Sequence, residues 1–216
     1  MISLLIVDDH PIVRYGLKEV LKLEPDISVL EASNAREAFN QLKATEFDLV
    51  VLDLDMPGMN GIDLLNEIKR RNKNVSVLVL SVYPEEQVAV RVLKAGASGF
   101  VSKEAASEQF VKAIRRILRG GKHISERVAD LLLTHLKNSN DGPVHEKLSD
   151  REFQILCLFG EGKTIKEIAA TLCLSSPTVS TYRARILSKM EMKTTAELVR
   201  YAIEHNISNP GSNKSV

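Results

Sequence analysis

Residues 48–61 read Asp48-Leu-Val-Val-Leu-Asp53-Leu-Asp55-Met-Pro57-Gly58-Met-Asn60-Gly61. The apolar, β-branched run at the start of this stretch has the composition of a buried strand. It stops on the carboxylate of Asp53, and Pro57, Gly58, Asn60 and Gly61 then predict a loop. An acid at the C-terminal end of a strand, set against a Gly-rich loop, is a common way for an α/β sheet to present a charged group. The acidic pair Asp8-Asp9 and the lysine Lys103 each follow another predicted strand, so they bear on the same reading.

Working outward, strands and helices alternate from residue 2 to about 119. Short apolar runs predict strands at Ile2–Val7, Ile27–Ala32, Leu49–Asp53, Val75–Ser81 and Gly99–Ser102. Helical spacing of apolar residues predicts helices at Ile12–Leu23, Ala35–Lys43, Ile62–Arg71 and Glu85–Ala95. A fifth helix carries Phe110, Ala113, Ile114 and Ile117 on one face and ends at Gly120-Gly121. This alternation predicts a doubly wound, five-stranded parallel sheet with helices on both faces. In the flavodoxin-like order 2-1-3-4-5 the ligand crevice lies at the C-terminal ends of the first and third strands, where Asp8, Asp9 and Asp53 stand.

After Gly121 the pattern changes to helices alone, the first at Glu126–Lys137, followed by the polar run Asn138-Ser-Asn-Asp-Gly-Pro143. The expected organisation is residues 1–121 as an α/β domain, 122–147 as a linker with one helix, 148–207 as a small all-α domain, and 208–216 as a disordered tail. In the second domain Ser149 and Glu152 have capping-box spacing, and Pro177 sits in a first helical turn with Ser175 or Ser176 as its cap.

Composition narrows the function classes. A net charge of +1 excludes a strongly basic nucleic-acid coat, so any DNA affinity must come from a local patch. Cys157 and Cys173 are too few and too far apart for a zinc site or a disulfide framework, and read as thiols in a reducing cytosol. The N-terminal apolar run is interrupted at Asp8, and no run approaches the ~20 apolar residues of a membrane span. A cytoplasmic protein without membrane contact is expected.

Carboxylates gathered without a basic partner repel one another, and a hard divalent cation relieves the repulsion. Mg²⁺, which binds through one or two carboxylates, waters and phosphate oxygens, suits such a set. The segments Ile6-Val-Asp8-Asp9-His-Pro, Val51-Leu-Asp53-Leu-Asp55-Met56-Pro57-Gly-Met-Asn60-Gly61, Leu80-Ser81 and Gly99-Phe100-Val-Ser-Lys103 resemble the receiver domain of a two-component response regulator. The resemblance implies that Asp53 accepts a phosphoryl group from a histidine kinase. It also implies that Asp8, Asp9, Asp53 and the backbone carbonyl of Asp55 hold Mg²⁺. Lys103 would pair with the phosphoryl group, Ser81 would hydrogen-bond it, and Phe100 stands at the aromatic switch position.

Leu148-Ser-Asp-Arg-Glu-Phe-Gln-Ile-Leu, Gly162-Lys-Thr-Ile-Lys-Glu-Ile-Ala169 and Leu174-Ser-Ser-Pro-Thr-Val-Ser-Thr-Tyr-Arg-Ala-Arg-Ile-Leu-Ser-Lys-Met190 resemble the LuxR-type helix-turn-helix. The whole chain is thus similar to the NarL/FixJ family. Turning Val179, Ile186, Leu187 and Met190 inward leaves Thr181, Ala184, Arg185 and Ser188 outward, flanked by Ser180 and Lys189. Ser180, Thr181 and Ala184 are expected on base edges, and Arg185, Lys189 and Arg183 on phosphates or a guanine. Lys163, Thr164 and Lys166 are further phosphate candidates. Leu198, Val199, Ala202 and Ile203 give the last helix more apolar surface than a small core needs, and the resemblance suggests that it pairs two such domains.

The expected function is a transcription regulator, not an enzyme, that binds double-stranded DNA as a homodimer when phosphorylated. Two alternatives stay open. One is a DNA-binding regulator indifferent to phosphorylation. The other is a haloacid-dehalogenase-like phosphatase, whose nucleophile motif Asp53-Leu-Asp55 mimics.

Overall fold

The computed structural model describes residues 1–56, 59, 61–83, 85–105, 107–137, 143–205 and 207. Pro57, Gly58 and Asn60 of the expected loop, the linker residues 138–142 and the tail 208–216 lie outside the described residues. The chain divides into two compact units, Met1–Ala129 and Asp130–Val216.

The first unit alternates β1 (Ile2–Val7), α1 (Pro11–Leu21), β2 (Ile27–Ala32), α2 (Ala35–Ala44), β3 (Leu49–Asp53), α3 (Gly61–Arg71), β4 (Ser76–Ser81), α4 (Glu85–Lys94), β5 (Gly99–Ser102) and α5 (Ser107–Leu118). All pairings are parallel, as expected from the alternation, and the strand order β2-β1-β3-β4-β5 is the flavodoxin-like one. In the central strand β3 every residue is buried, as a strand covered by helices on both faces requires. Leu4, Ile6, Leu49, Val51, Leu78 and Leu80 meet Phe110, Ala113, Ile114 and Ile117 of α5 in one core.

Register sets the functional edge. Val7 pairs with Leu52, so Asp8 and Asp53 are the next residues of neighbouring strands. Ser81 pairs with Ser102, which puts Lys103 one residue past the end of β5. The turn from β3 into α3 needs glycine, because a Cβ on Gly61 would meet the Leu54 Cα at 2.4 Å. The outer edge of β5 is covered in part by the chain leaving α5. The His123 carbonyl accepts from the Phe100 N–H at 3.0 Å, and the His123 N–H donates to the Ser98 carbonyl at 3.0 Å.

The boundary between the units falls inside α6 (Glu126–Lys137). The second unit continues with a 3₁₀ turn (Val144–Lys147), α7 (Asp150–Gly160), α8 (Ile165–Thr171), α9 (Ser176–Lys189) and α10 (Thr195–Glu204). The 3₁₀ turn lies in what the sequence suggested was plain linker. Ser149 and Glu152 form the expected capping box at the start of α7, and Thr164–Glu167 and Thr194–Glu197 repeat it on α8 and α10. These boxes satisfy N-terminal amides of helices too short to be stable alone. No helix among the described residues is long and apolar enough to cross a membrane.

Candidate functional site

The C-terminal edge of the sheet gathers Asp8, Asp9, His10 and Asp53, each offering an atom within 4.8 Å of the others. Asp8 and Asp53 are 1% exposed, so their charges face little water. The Lys103 Nζ lies 2.7 Å from one Asp53 oxygen and 2.8 Å from Asp8 Oδ2. The Asp55 N–H donates to the other Asp53 oxygen at 3.1 Å. Asp8 is steadied from α1, where the His10 N–H donates to its carboxylate and Arg14 donates to its backbone carbonyl at 2.7 Å.

Burial pushes the Asp53 carboxyl up from its ordinary 3.8 to about 6; Lys103 pulls it down, and the Asp8 charge pushes it up again. Burial works against the charge on Lys103, but Asp53 and Asp8 outweigh it and hold the ammonium above 10.5. Asp8 Oδ2 and Asp9 Oδ1 are buried and accept no well-aligned hydrogen bond; their close neighbours are Lys103 at 2.8 Å and the His10 Nδ1 at 2.9 Å. Fully ionised, Asp8, Asp9 and Asp53 against Lys103 leave two unbalanced negative charges, a donor set that suits a divalent cation.

Ser81 is buried beside this cluster, its hydroxyl accepting the Tyr83 N–H at 3.1 Å while its carbonyl accepts the Lys103 N–H at 2.9 Å. Phe100 is 2% exposed, with its amide held by His123. His10 was not singled out from sequence, although it stands next to Asp9 in the motif. The contribution of Tyr83 is a backbone N–H, which leaves no residue-type signal.

In the second unit α9 opens with the Ser175 hydroxyl accepting the Thr178 N–H at 3.2 Å, which settles the cap as Ser175. The turn before it passes through Cys173 at φ 52°, a left-handed conformation that L-residues with a Cβ resist. Val179, Ile186 and Leu187 are buried, whereas Ser180, Thr181, Ala184, Arg185, Ser188 and Lys189 form an exposed stripe. The basic residues are not equivalent. Lys189 binds Glu152 at 2.6 Å, Arg183 donates its Nε to Thr195 at 2.5 Å, and Lys163 pairs with Glu161 at 3.0 Å. Thr164 is the N-cap of α8, and Lys166 is exposed. Both cysteines are free thiols, Cys157 buried and Cys173 exposed.

Comparison with known proteins identifies both halves. Residues 4–115 match the response regulator receiver domain, and residues 146–202 match the luxR family of bacterial regulatory proteins. The chain is 35% identical over 211 residues to the response regulator UvrY of Escherichia coli, covering 97% of each. It is 34% identical to the transcriptional regulatory protein LiaR of Bacillus subtilis over 97% of this chain and 100% of that one. Among solved structures, RcsB from Salmonella enterica serovar Typhimurium bound to promoter rprA in the presence of phosphomimetic BeF3⁻ superposes with a TM-score of 0.65. That match has 28% identity and covers 93% of this chain and 97% of that one. A receiver with an acidic edge, joined to a LuxR-type helix-turn-helix, thus places the chain in the NarL/FixJ family of two-component response regulators.

Proposed function

We propose that the chain is a phosphorylation-controlled transcription regulator that receives a phosphoryl group on Asp53 from a histidine kinase and then binds double-stranded DNA as a homodimer. One observation carries this reading: Asp53 ends β3 between Asp8 and the Lys103 ammonium, which touches both carboxylates. A carboxylate there can attack phosphorus, its Oδ–P bond forming as the P–N bond to the donor histidine breaks. Lys103 is placed to leave its ion pair for the phosphoryl oxygens as their charge arrives.

Asp8, Asp9, Asp53 and the Asp55 backbone carbonyl would hold Mg²⁺, which neutralises charge on the transferred group when bound. The new oxygens are strong acceptors next to Ser81, whose hydroxyl would turn to them. Ser81 carries the Lys103 amide, and Phe100 follows the strand partner of Leu78, so this step reaches β4 and β5 together. The resulting shift in population, rather than turnover of a substrate, is the output.

In the second unit α9 would enter the major groove with Ser180, Thr181, Ala184, Arg185 and Ser188 toward the bases. The α10 helix buries Leu198 and Ala202 but leaves Ile203 59% exposed, apolar surface available to a second copy. Solved relatives agree in kind, since RcsB has been seen as two dimers bound to two parallel DNAs. We assign the receiver to residues 1–121 and the DNA-binding domain to 148–207, and place the protein in the cytoplasm with its DNA.

The test is intact mass after incubation with Mg²⁺ and acetyl phosphate. A single phosphoryl adduct on wild type, absent from Asp53→Asn, is expected. An unmodified wild type, or an adduct retained by the variant, rejects Asp53 as the acceptor.

A further inference from the structure

The recognition helix α9 carries Arg183, Arg185 and Lys189, and the protein itself holds two of the three. Lys189 donates to a Glu152 oxygen that also accepts the Ser149 N–H at 2.8 Å, and the Glu152 side chain is only 4% exposed. One buried carboxylate therefore caps the start of α7 and ties down the last turn of α9. Swinging Lys189 to a DNA phosphate would strand that carboxylate, and a solvated ion pair returns too little to offset it. Arg183 spends its Nε on Thr195 at the start of α10. Arg185 is exposed and makes no ion pair among the described residues; its guanidinium lies 5.8 Å from the Tyr182 ring centroid.

The rest of the exposed stripe is small and neutral. The Thr181 hydroxyl already donates to the Pro177 carbonyl at 3.0 Å, which leaves its methyl group, like that of Ala184, to meet a base. Methyl groups suit the C5-methyl of thymine, and a guanidinium fork suits O6 and N7 of guanine.

We propose that Arg185 sets the sequence preference of this protein by reading one guanine in a half-site otherwise rich in A·T pairs, and that Lys189 is a positioning residue that neutralises no phosphate. The proposal rests on the DNA-binding reading above. It reassigns Lys189 and Arg183 from the phosphate or guanine contacts expected of them from the sequence.

The experiment uses the full chain with Mg²⁺ and acetyl phosphate, and duplexes selected from a random-sequence pool by the wild type. Affinity is then measured between 50 and 200 mM salt, on the order of the range where counterion release is steep. Arg185→Ala should lose roughly 5- to 150-fold on the selected duplex and lose its preference at one guanine. Arg185→Lys, which keeps the charge but not the fork, should fail to restore it. Lys189→Gln should keep the wild-type salt slope and guanine preference while its unfolding midpoint falls. Lys189→Arg, which preserves the pair with Glu152, should restore that midpoint.

A Lys189→Gln slope shallower by about 0.9 at an unchanged midpoint would mark a phosphate contact and overturn the proposal. So would an Arg185→Ala protein that still selects the same guanine. A wild type that selects no duplex overturns the DNA-binding reading itself, and the proposal with it.

Discussion

Replacing Asp53 by Asn should make the metal-free protein more stable. The carboxyl titrates at about 6 in the folded chain against an ordinary 3.8, because burial and Asp8 outweigh the help from Lys103. Holding it ionised therefore costs the fold about 3 kcal/mol at neutral pH, at 1.36 kcal/mol per pK unit. Well below pH 3.8 the group is protonated folded or unfolded, and the penalty vanishes. As pH rises from there to about 6 the folded chain binds more protons than the unfolded one, so stability falls, and above that range the loss is complete. Asn keeps an oxygen for the Asp55 N–H and removes the charge. At roughly 3–5 °C per kcal/mol, the receiver's Tm should rise on the order of 10 °C in the variant. Calorimetry of the full chain in chelator, at pH 7.5 and pH 5, reads both parts: the gap should be largest at the higher pH and about halve at the lower. A variant no more stable than wild type at pH 7.5, or a gap that does not depend on pH, would refute this account of the pocket.

Two other substitutions probe the backbone. A Cβ on Gly99 would meet the His123 carbonyl oxygen at 2.7 Å, so Gly99→Ala should cost about 1–3 kcal/mol and expose the Phe100 and His123 amides to hydrogen exchange. Urea unfolding within experimental error of wild type, with those amides still protected, would show that the strand edge tolerates the methyl group. Cys173→Gly should stabilise the second unit by about 0.5–1 kcal/mol, the left-handed penalty of a Cβ less the extra freedom glycine has when unfolded. A destabilised variant would mean that the thiol makes a contact outweighing its strain.

Much of the fold was legible because buried parallel strands and amphipathic helices write their periods into sequence. The alternation located β1 to β5 and α1 to α5, the crossover rule narrowed the topologies, and the flavodoxin-like order among them is the one observed. The misses are local. Leu23 looked helical by its apolar character, yet it is 81% exposed beyond the end of α1. The 3₁₀ turn at Val144–Lys147 is too short to show a period. In the acidic pocket, Asp8, Asp9, Asp53 and Lys103 could be named because each stands at or just past the C-terminal end of a strand, so topology alone brings them together. The contacts of His10, Tyr83 and His123 depend on ring placement or backbone groups, which residue type does not encode. The helical wheel gave the outward stripe of α9 correctly, but it reports direction and not partners. Glu152, 37 positions from Lys189, was legible as a cap and not as the anion that claims that lysine.

The central claim is that chemistry at Asp53 governs DNA binding. The most direct measurement is the affinity of wild type and Asp53→Asn for a selected duplex at fixed salt, each with and without acetyl phosphate and Mg²⁺. The account predicts that phosphodonor strengthens wild-type binding on the order of 5- to 150-fold and leaves the variant unmoved. Equal affinities in all four conditions would contradict it and leave a DNA-binding protein indifferent to its acidic pocket.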